Sequence, residues 1–185
     1  MDGSWQAEDN GVTILELLLV LAGLLTLLVL MAEPFSGFLD SYRLDSATQT
    51  LTATLELARH SAMAKGCDTV LRFYPADQYY ELFVDSNHNG IRNPGEMLLR
   101  GQQLPEGVSF DGVGLWGPPA SPTDPVAAGI SFPSNRVIFN AQGKLASGLG
   151  TVYIQNRRKD ARALSYNLAS RLKVYAWQKS SLSWH

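Results

Sequence analysis

Gly11-Val-Thr-Ile-Leu-Glu16 opens an apolar run from which the rest of the chain is read. Across residues 12–32 the one ionisable side chain is Glu16, and the remainder is Leu, Val, Ile, Ala, Met, Gly and Thr. A hydrocarbon layer about 30 Å thick takes roughly 20 helical residues to cross, so the run is long enough to span one. A carboxylate placed in lipid is costly and marks a functional position, and an anion in the first turn suits the helix dipole. A secretory signal peptide has a basic leader, a shorter apolar core and a small-residue cut site. Residues 1–10 contain no Lys or Arg, and the run is too long. A plain membrane anchor accounts for the apolar length but not for a Gly followed five residues later by Glu.

The chain has 185 residues, enough for one membrane helix and one globular domain of ordinary size. Its 17% charged and 45% hydrophobic content is a globular balance once the apolar run is set aside. Net charge is −2, and a chain starting at Val12 would lose Asp2, Glu8 and Asp9 and stand near neutrality. Cys67 is the sole cysteine, which excludes an intramolecular disulfide. His60, His88 and His185 are far apart and have no zinc spacing with Cys67. No nucleophile elbow, phosphate loop, dinucleotide fingerprint or paired-carboxylate arrangement is visible, so the expectation is a protein that is not an enzyme.

The helical pattern does not end with the apolar run. Beyond Pro34, which marks a kink rather than an end, Phe35, Phe38, Leu39, Tyr42, Leu51, Leu55, Ala58 and Ala62 recur at spacings of three and four. That spacing predicts an amphipathic helix packing one face on a domain, closed by Lys65-Gly66. A helix over 13–65 would measure roughly 80 Å; two helices hinged at 34–37 are the rival reading. The domains expected are an N-terminal stretch over 1–11, a membrane helix over 12–33, its amphipathic continuation over 34–66 and a globular β domain over 67–185. Within the last, Thr69-Val-Leu-Arg-Phe-Tyr74 and Gln78-Tyr-Tyr-Glu-Leu-Phe-Val84 read as strands around a turn at Pro75-Ala-Asp77. Strands are also predicted at 96–100, 107–110, 130–132, 136–139, 150–154, 163–166 and 171–175, with a Pro- and Gly-rich surface loop over 112–129. The fold class is α+β: a long N-terminal helix on an antiparallel β domain.

Two stretches carry candidate chemistry. Asp85-Ser-Asn87-His-Asn89-Gly90-Ile-Arg-Asn93-Pro-Gly-Glu96 matches the calcium-loop spacing. Its ligands would be Asp85, Asn87, Asn89, the Ile91 carbonyl and Glu96, and calcium is the only cofactor considered. The alternative is a polar hairpin loop in which Asn and Gly supply turn conformations; the flanks read as strands, not as the helices of an EF-hand. The segment 151–185 holds seven bases against the single acid Asp160. Arg157, Arg158, Lys159, Arg171 and Lys173 form a candidate phosphate-binding patch for DNA; the alternative is a strand and loop whose bases face water.

Gly11-Val12-Thr13-Ile14-Leu15-Glu16-Leu17-Leu18 resembles the class III signal of type IV prepilins and type II secretion pseudopilins. Ala58-Arg59-His60-Ser61-Ala62-Met63-Ala64-Lys65-Gly66, the 85–96 loop and Val137-Ile-Phe139-Asn-Ala-Gln-Gly143 resemble the GspH/FimT branch of minor pilins and pseudopilins. The resemblance implies that 1–11 is a leader removed by a prepilin peptidase, which cuts between Gly11 and Val12, with methylation of the new N-terminus. It implies a Glu16 that pairs with the amine of a neighbouring subunit and sets the register of assembly. It also implies a single-pass inner-membrane protein with its β domain in the periplasm, whose partners are other pilin or pseudopilin subunits. Subunits of this branch help to initiate or cap a type II secretion pseudopilus or a type IV pilus, and the FimT side is associated with DNA uptake through a Gly-Arg-x-Arg tail. Here Val12 stands where the family usually has Phe, acids precede Gly11 where it usually has bases, and the tail reads Ser170-Arg171-Leu172-Lys173.

Overall fold

The computed structural model describes residues 13–117, 124–167 and 169–185, and the backbone alone at 31–34. The first element is the helix α1, Ile14–Lys65, which continues through position 34 without a break. Its start is built by Thr13: the hydroxyl Oγ1 accepts the Glu16 N–H at 3.2 Å, and the Thr13 carbonyl accepts the Leu17 N–H at 3.1 Å. Thr13 is therefore the N-cap, and Thr13-x-x-Glu16 has the spacing of a capping box. The chain divides into two compact units, residues 1–38 and 39–185.

The described part of the first unit is helix. Its apolar side chains from Ile14 to Leu30 are all exposed among the described residues. Among the described residues this is the one helix long and apolar enough to cross a membrane. A helix that is hydrophobic all round belongs in lipid or among other helices.

In the second unit α1 buries a stripe of Leu44, Ala47, Thr48, Leu51, Thr54, Leu55, Ala58 and Ala62, the i, i+3, i+4 pattern of a packed helix face. Three of these are alanines, so the helix backbone lies close to what it covers. Thr69, in the first strand β1 (Asp68–Tyr74), donates its hydroxyl to the Ala58 carbonyl at 2.8 Å, a buried bond that locks the strand to the helix. The packed stripe starts later than the sequence pattern suggests. The sequence pattern puts Phe35, Phe38 and Tyr42 on the buried face, yet all are more than 60% exposed, and within the second unit the buried stripe begins at Leu44, past Tyr42.

Two antiparallel sheets follow. The first has order β3-β2-β1-β5, with β1 Asp68–Tyr74, β2 Tyr79–Asp85, β3 Leu98–Gln103 and β5 Arg136–Phe139. The second has order β4-β6-β7-β8-β9, with β4 Val108–Ser109, β6 Thr151–Asn156, β7 Ala161–Tyr166, β8 Leu172–Gln178 and β9 Ser183–Trp184. The helix stripe meets both sheets in one core, with Leu71, Phe73, Tyr80 and Leu82 from the first and Val152, Ile154, Leu164 and Tyr166 from the second. A smaller cluster of Tyr153, Ala161, Ala163, Trp177 and Leu115 lies apart from that core, and Trp184 packs on it. The Trp184 indole N–H donates to the carbonyls of Trp116 at 2.9 Å and Gly117 at 2.8 Å, pinning the 112–117 loop to the last hairpin.

The α+β class and most strands match the sequence reading. The strand predicted at 130–132 is instead a single bridge, Ile130 to Val152, followed by a 3-10 turn at Pro133–Asn135. The two-residue β9 was not predicted, since a pair of residues shows no alternation.

Candidate functional site

Glu16, in the first turn of α1, is exposed to whatever surrounds that part of the helix. The cleavage-site residues Gly11 and Val12 lie outside the described residues. What the structure adds is the Thr13 cap, which the sequence pattern Thr-x-x-Glu could have revealed.

The 85–96 loop closes the β2–β3 hairpin, and its oxygens are already engaged. The buried Asp85 accepts the Gly90 N–H at 2.6 Å and the Asn89 N–H at 3.2 Å. Asn87 accepts the Asn89 N–H at 3.2 Å, and Asn89 accepts the Ile91 N–H at 2.8 Å. The Ile91 carbonyl takes the Asn93 side-chain amide at 2.8 Å. Glu96 accepts Asn93 N–H at 2.8 Å and Ser86 N–H at 3.0 Å, and these bonds, the first above all, hold its carboxyl below the usual range. Every side-chain and carbonyl oxygen that the calcium spacing calls for thus receives a hydrogen from the loop itself. The positive charge beside the loop belongs to Arg136, whose guanidinium donates to the Gly90 carbonyl at 3.1 Å. Gly90 has φ +70, a left-handed conformation that favours glycine, and the Arg136 guanidinium lies over the face a Cβ would occupy. This geometry is that of a self-capped polar turn. Among the described residues no group of three or more His, Cys, Asp and Glu side chains is placed to hold a metal ion.

Side chains also pin the loop to the first sheet. His88 Nδ1 meets Asp68 at 2.9 Å, and the hydrogen bond to that carboxylate raises the imidazole pKa. Arg92 meets Glu81 at 3.2 Å. Tyr74 donates to the same Glu81 at 2.6 Å; burial, with this bond, pushes its phenol up to about 12.

The basic segment is divided and largely neutralised. Arg157 pairs with Glu106 at 2.6 Å, Lys159 with Asp111 at 3.7 Å, Arg162 with Asp45 at 2.8 Å and Lys179 with Asp160 at 2.7 Å. Arg158 lies 3.9 Å from Asp40. Burial pushes the Asp160 carboxyl up, but its bonds to Lys179 and Asn156 outweigh that and hold it low. Arg157, Arg158 and Lys159 sit in the β6–β7 turn. Arg171 and Lys173 sit at the other end of the β7–β8 pair, since Lys173 faces Ser165 while Ala176 faces Arg162. The five candidate residues are therefore not brought together, and four of the acids facing this segment come from outside it in the sequence. Ser170, where the tail motif of the resembled family has Gly, keeps a positive φ of +53. Its hydroxyl accepts the Leu145 N–H at 3.1 Å, and its carbonyl accepts from Arg59 at 3.4 Å.

The family profile described as Type II transport protein GspH matches residues 47–170, more than half of the chain. No curated protein matches the chain. Among solved structures, the minor pseudopilin EpsH of the Vibrio cholerae type 2 secretion system aligns at 13% identity over 72% of this chain and 97% of its own, with a TM-score of 0.49. The type IV minor pilin FimU of Pseudomonas aeruginosa aligns at 18% identity over 78% of this chain and 94% of its own, with a TM-score of 0.49. At these values the two alignments carry no functional weight, and the assignment rests on the profile. The chain belongs to the GspH family of type II transport proteins.

Proposed function

We propose that the chain is a minor, non-enzymatic subunit that helps to initiate or cap a type II secretion pseudopilus or a type IV pilus. The observation that carries this reading is the helix. Among the described residues its apolar half is exposed, and it holds a single carboxylate, Glu16, in the first turn. A buried carboxylate needs a cationic partner, and a prepilin peptidase cutting between Gly11 and Val12 would create one, the new N-terminal amine of a neighbouring subunit. Before assembly the helix holds the protein in the inner membrane with the β domain in the periplasm.

Glu16→Ala tests the reading. In the native host the variant should be cleaved as well as the parent, by mass of the mature chain, yet recovered at a small fraction of the parental level in the assembled filament. Normal incorporation would overturn the assembly role of Glu16, and an uncleaved leader would return the chain to a plain membrane anchor. DNA capture is the less favoured reading, because the bases proposed for it are split between two ends of a sheet and the Arg157–Lys159 end faces acids.

A further inference from the structure

β8 is covered on its outer side over only half its length. On the inner side it pairs with β7 from Leu172 to Ala176. On the outer side Trp177 pairs with Trp184 and Gln178 with Ser183, and Ala176 exchanges both backbone hydrogen bonds with His185, each at 3.0 Å. Backbone groups alternate sides along a strand, so the N–H and C=O of Leu172 and Val174 also point outward. The Arg171 carbonyl has the opposite parity and points inward, accepting the Asn167 N–H at 3.2 Å. Among the described residues no strand lies against the outer side of Leu172 and Val174, and Val174 is 43% exposed.

The stretch 171–174 also carries two of the segment's bases. Arg171 and Lys173 are two apart and leave the strand on one face. Both are exposed, and among the described residues neither meets a carboxylate, unlike Arg157, Lys159, Arg162 and Lys179. Leu172, between them, points the other way and packs against the main core.

We propose that the open half of β8 is an acceptor edge for an extended acidic segment of a partner protein, which adds a strand in line with β9. Backbone bonds to Leu172 and Val174 set its register, and carboxylates at alternate positions meet Arg171 and Lys173. This is strand addition with the edge giving affinity and the side chains giving choice of partner. Nucleic acid would use the two cations but has no amide ladder to offer the edge. The proposal concerns the β domain alone, so its failure leaves the Glu16 test untouched.

The probe is a labelled, end-blocked peptide, Thr-Glu-Val-Glu-Val-Thr, titrated by fluorescence anisotropy into the full chain in detergent. Saturable binding is expected, about tenfold weaker for Arg171→Glu with Lys173→Glu. N-methylation of the peptide at the valine between the glutamates should weaken it comparably, by about tenfold, through the lost backbone bond. Val174→Pro removes one outward N–H at an edge position where proline is tolerated, and should lose peptide binding with its near-UV circular dichroism unchanged. If Val174→Pro fails to fold, the N-methylated peptide still decides. Absence of binding, equal binding of the N-methylated peptide, or equal binding by the charge-reversed variant would each overturn the proposal. Binding of duplex DNA through Arg171 and Lys173, with no binding of the peptide, would overturn it in favour of a nucleic-acid surface.

Discussion

Asp45 of α1 and Arg162 of β7 meet at 2.8 Å across 117 residues of chain. The pair fastens the second sheet to the helix and cancels a base that the sequence alone would assign to a cationic tail. Asp45→Ala should therefore do two things. Stability should fall by less than about 1 kcal/mol, the range for pairs this exposed to solvent. Non-specific DNA binding at low salt should tighten, with the salt slope growing by about one. Thermal unfolding and anisotropy across a salt series measure both. An unchanged slope would show that Asp45 does not mask Arg162.

Thr13 and Glu16 separate a local role from an assembly role. Thr13→Ala removes the acceptor of the Glu16 N–H and should cost about 1 kcal/mol of first-turn stability, speeding amide exchange at Glu16 about fivefold in micelles. Thr13→Ser should restore it. If the Ala variant exchanges at the parental rate, the cap contributes nothing to the helix start.

The 85–96 loop should be tightest in mildly acidic solution. The Asp68 hydrogen bond raises the His88 pKa, so that contribution is complete below pH 6.5 and disappears as pH rises through the folded value above it. Glu96 has the opposite sign. Its folded value is lowered, so its contribution is present above pH 4.5 and is lost as pH falls through the folded value below that. Exchange of the Ser86, Gly90 and Asn93 amides, corrected for intrinsic rates, should be slowest between those limits. Asp68→Asn should lower the His88 titration midpoint measured by NMR, and a midpoint that stays put would remove the pin.

Calcium bears on the same loop. Because its oxygens already accept hydrogens from the chain and Arg136 supplies the positive charge, added calcium should leave the melting temperature unchanged. A calcium-dependent rise that Glu96→Gln abolishes would restore the cation site.

Ser170 holds a left-handed conformation that glycine adopts more readily, and its hydroxyl serves the Leu145 N–H. Ser170→Gly should be nearly neutral, since relief of strain offsets the lost bond, each worth about 1 kcal/mol. Ser170→Ala loses the bond and keeps the strain, and should cost about 1–2 kcal/mol in denaturant unfolding. Equal stability of the two variants would show that the left-handed strain does not operate, and parental stability of Ser170→Ala would show the same of the bond.

Local features of the chain settled much of the outcome. Apolar length and the lone Glu16 are properties of one stretch, and the three-and-four spacing of Leu51, Leu55, Ala58 and Ala62 belongs to one helix. The β-rich stretches 69–74 and 78–84 around Pro75-Ala-Asp77 likewise gave a hairpin, and the structure sets its register, from Thr69 opposite Val84 to Tyr74 opposite Tyr79. Hydrophobic periodicity is local, and so it is legible. Tertiary structure alone decided which aromatic residues of the stripe are covered, because the footprint of the sheets on α1 ends at Leu44 and leaves Tyr42 outside. Packing alone likewise decided the charge of the tail. Its net charge in sequence is a sum over neighbours in the chain, whereas the field at Arg157, Lys159 and Arg162 is a sum over neighbours in space. Glu106, Asp111 and Asp45 arrive there from distant segments, while Arg171 and Lys173 at the other end of the sheet meet no carboxylate among the described residues.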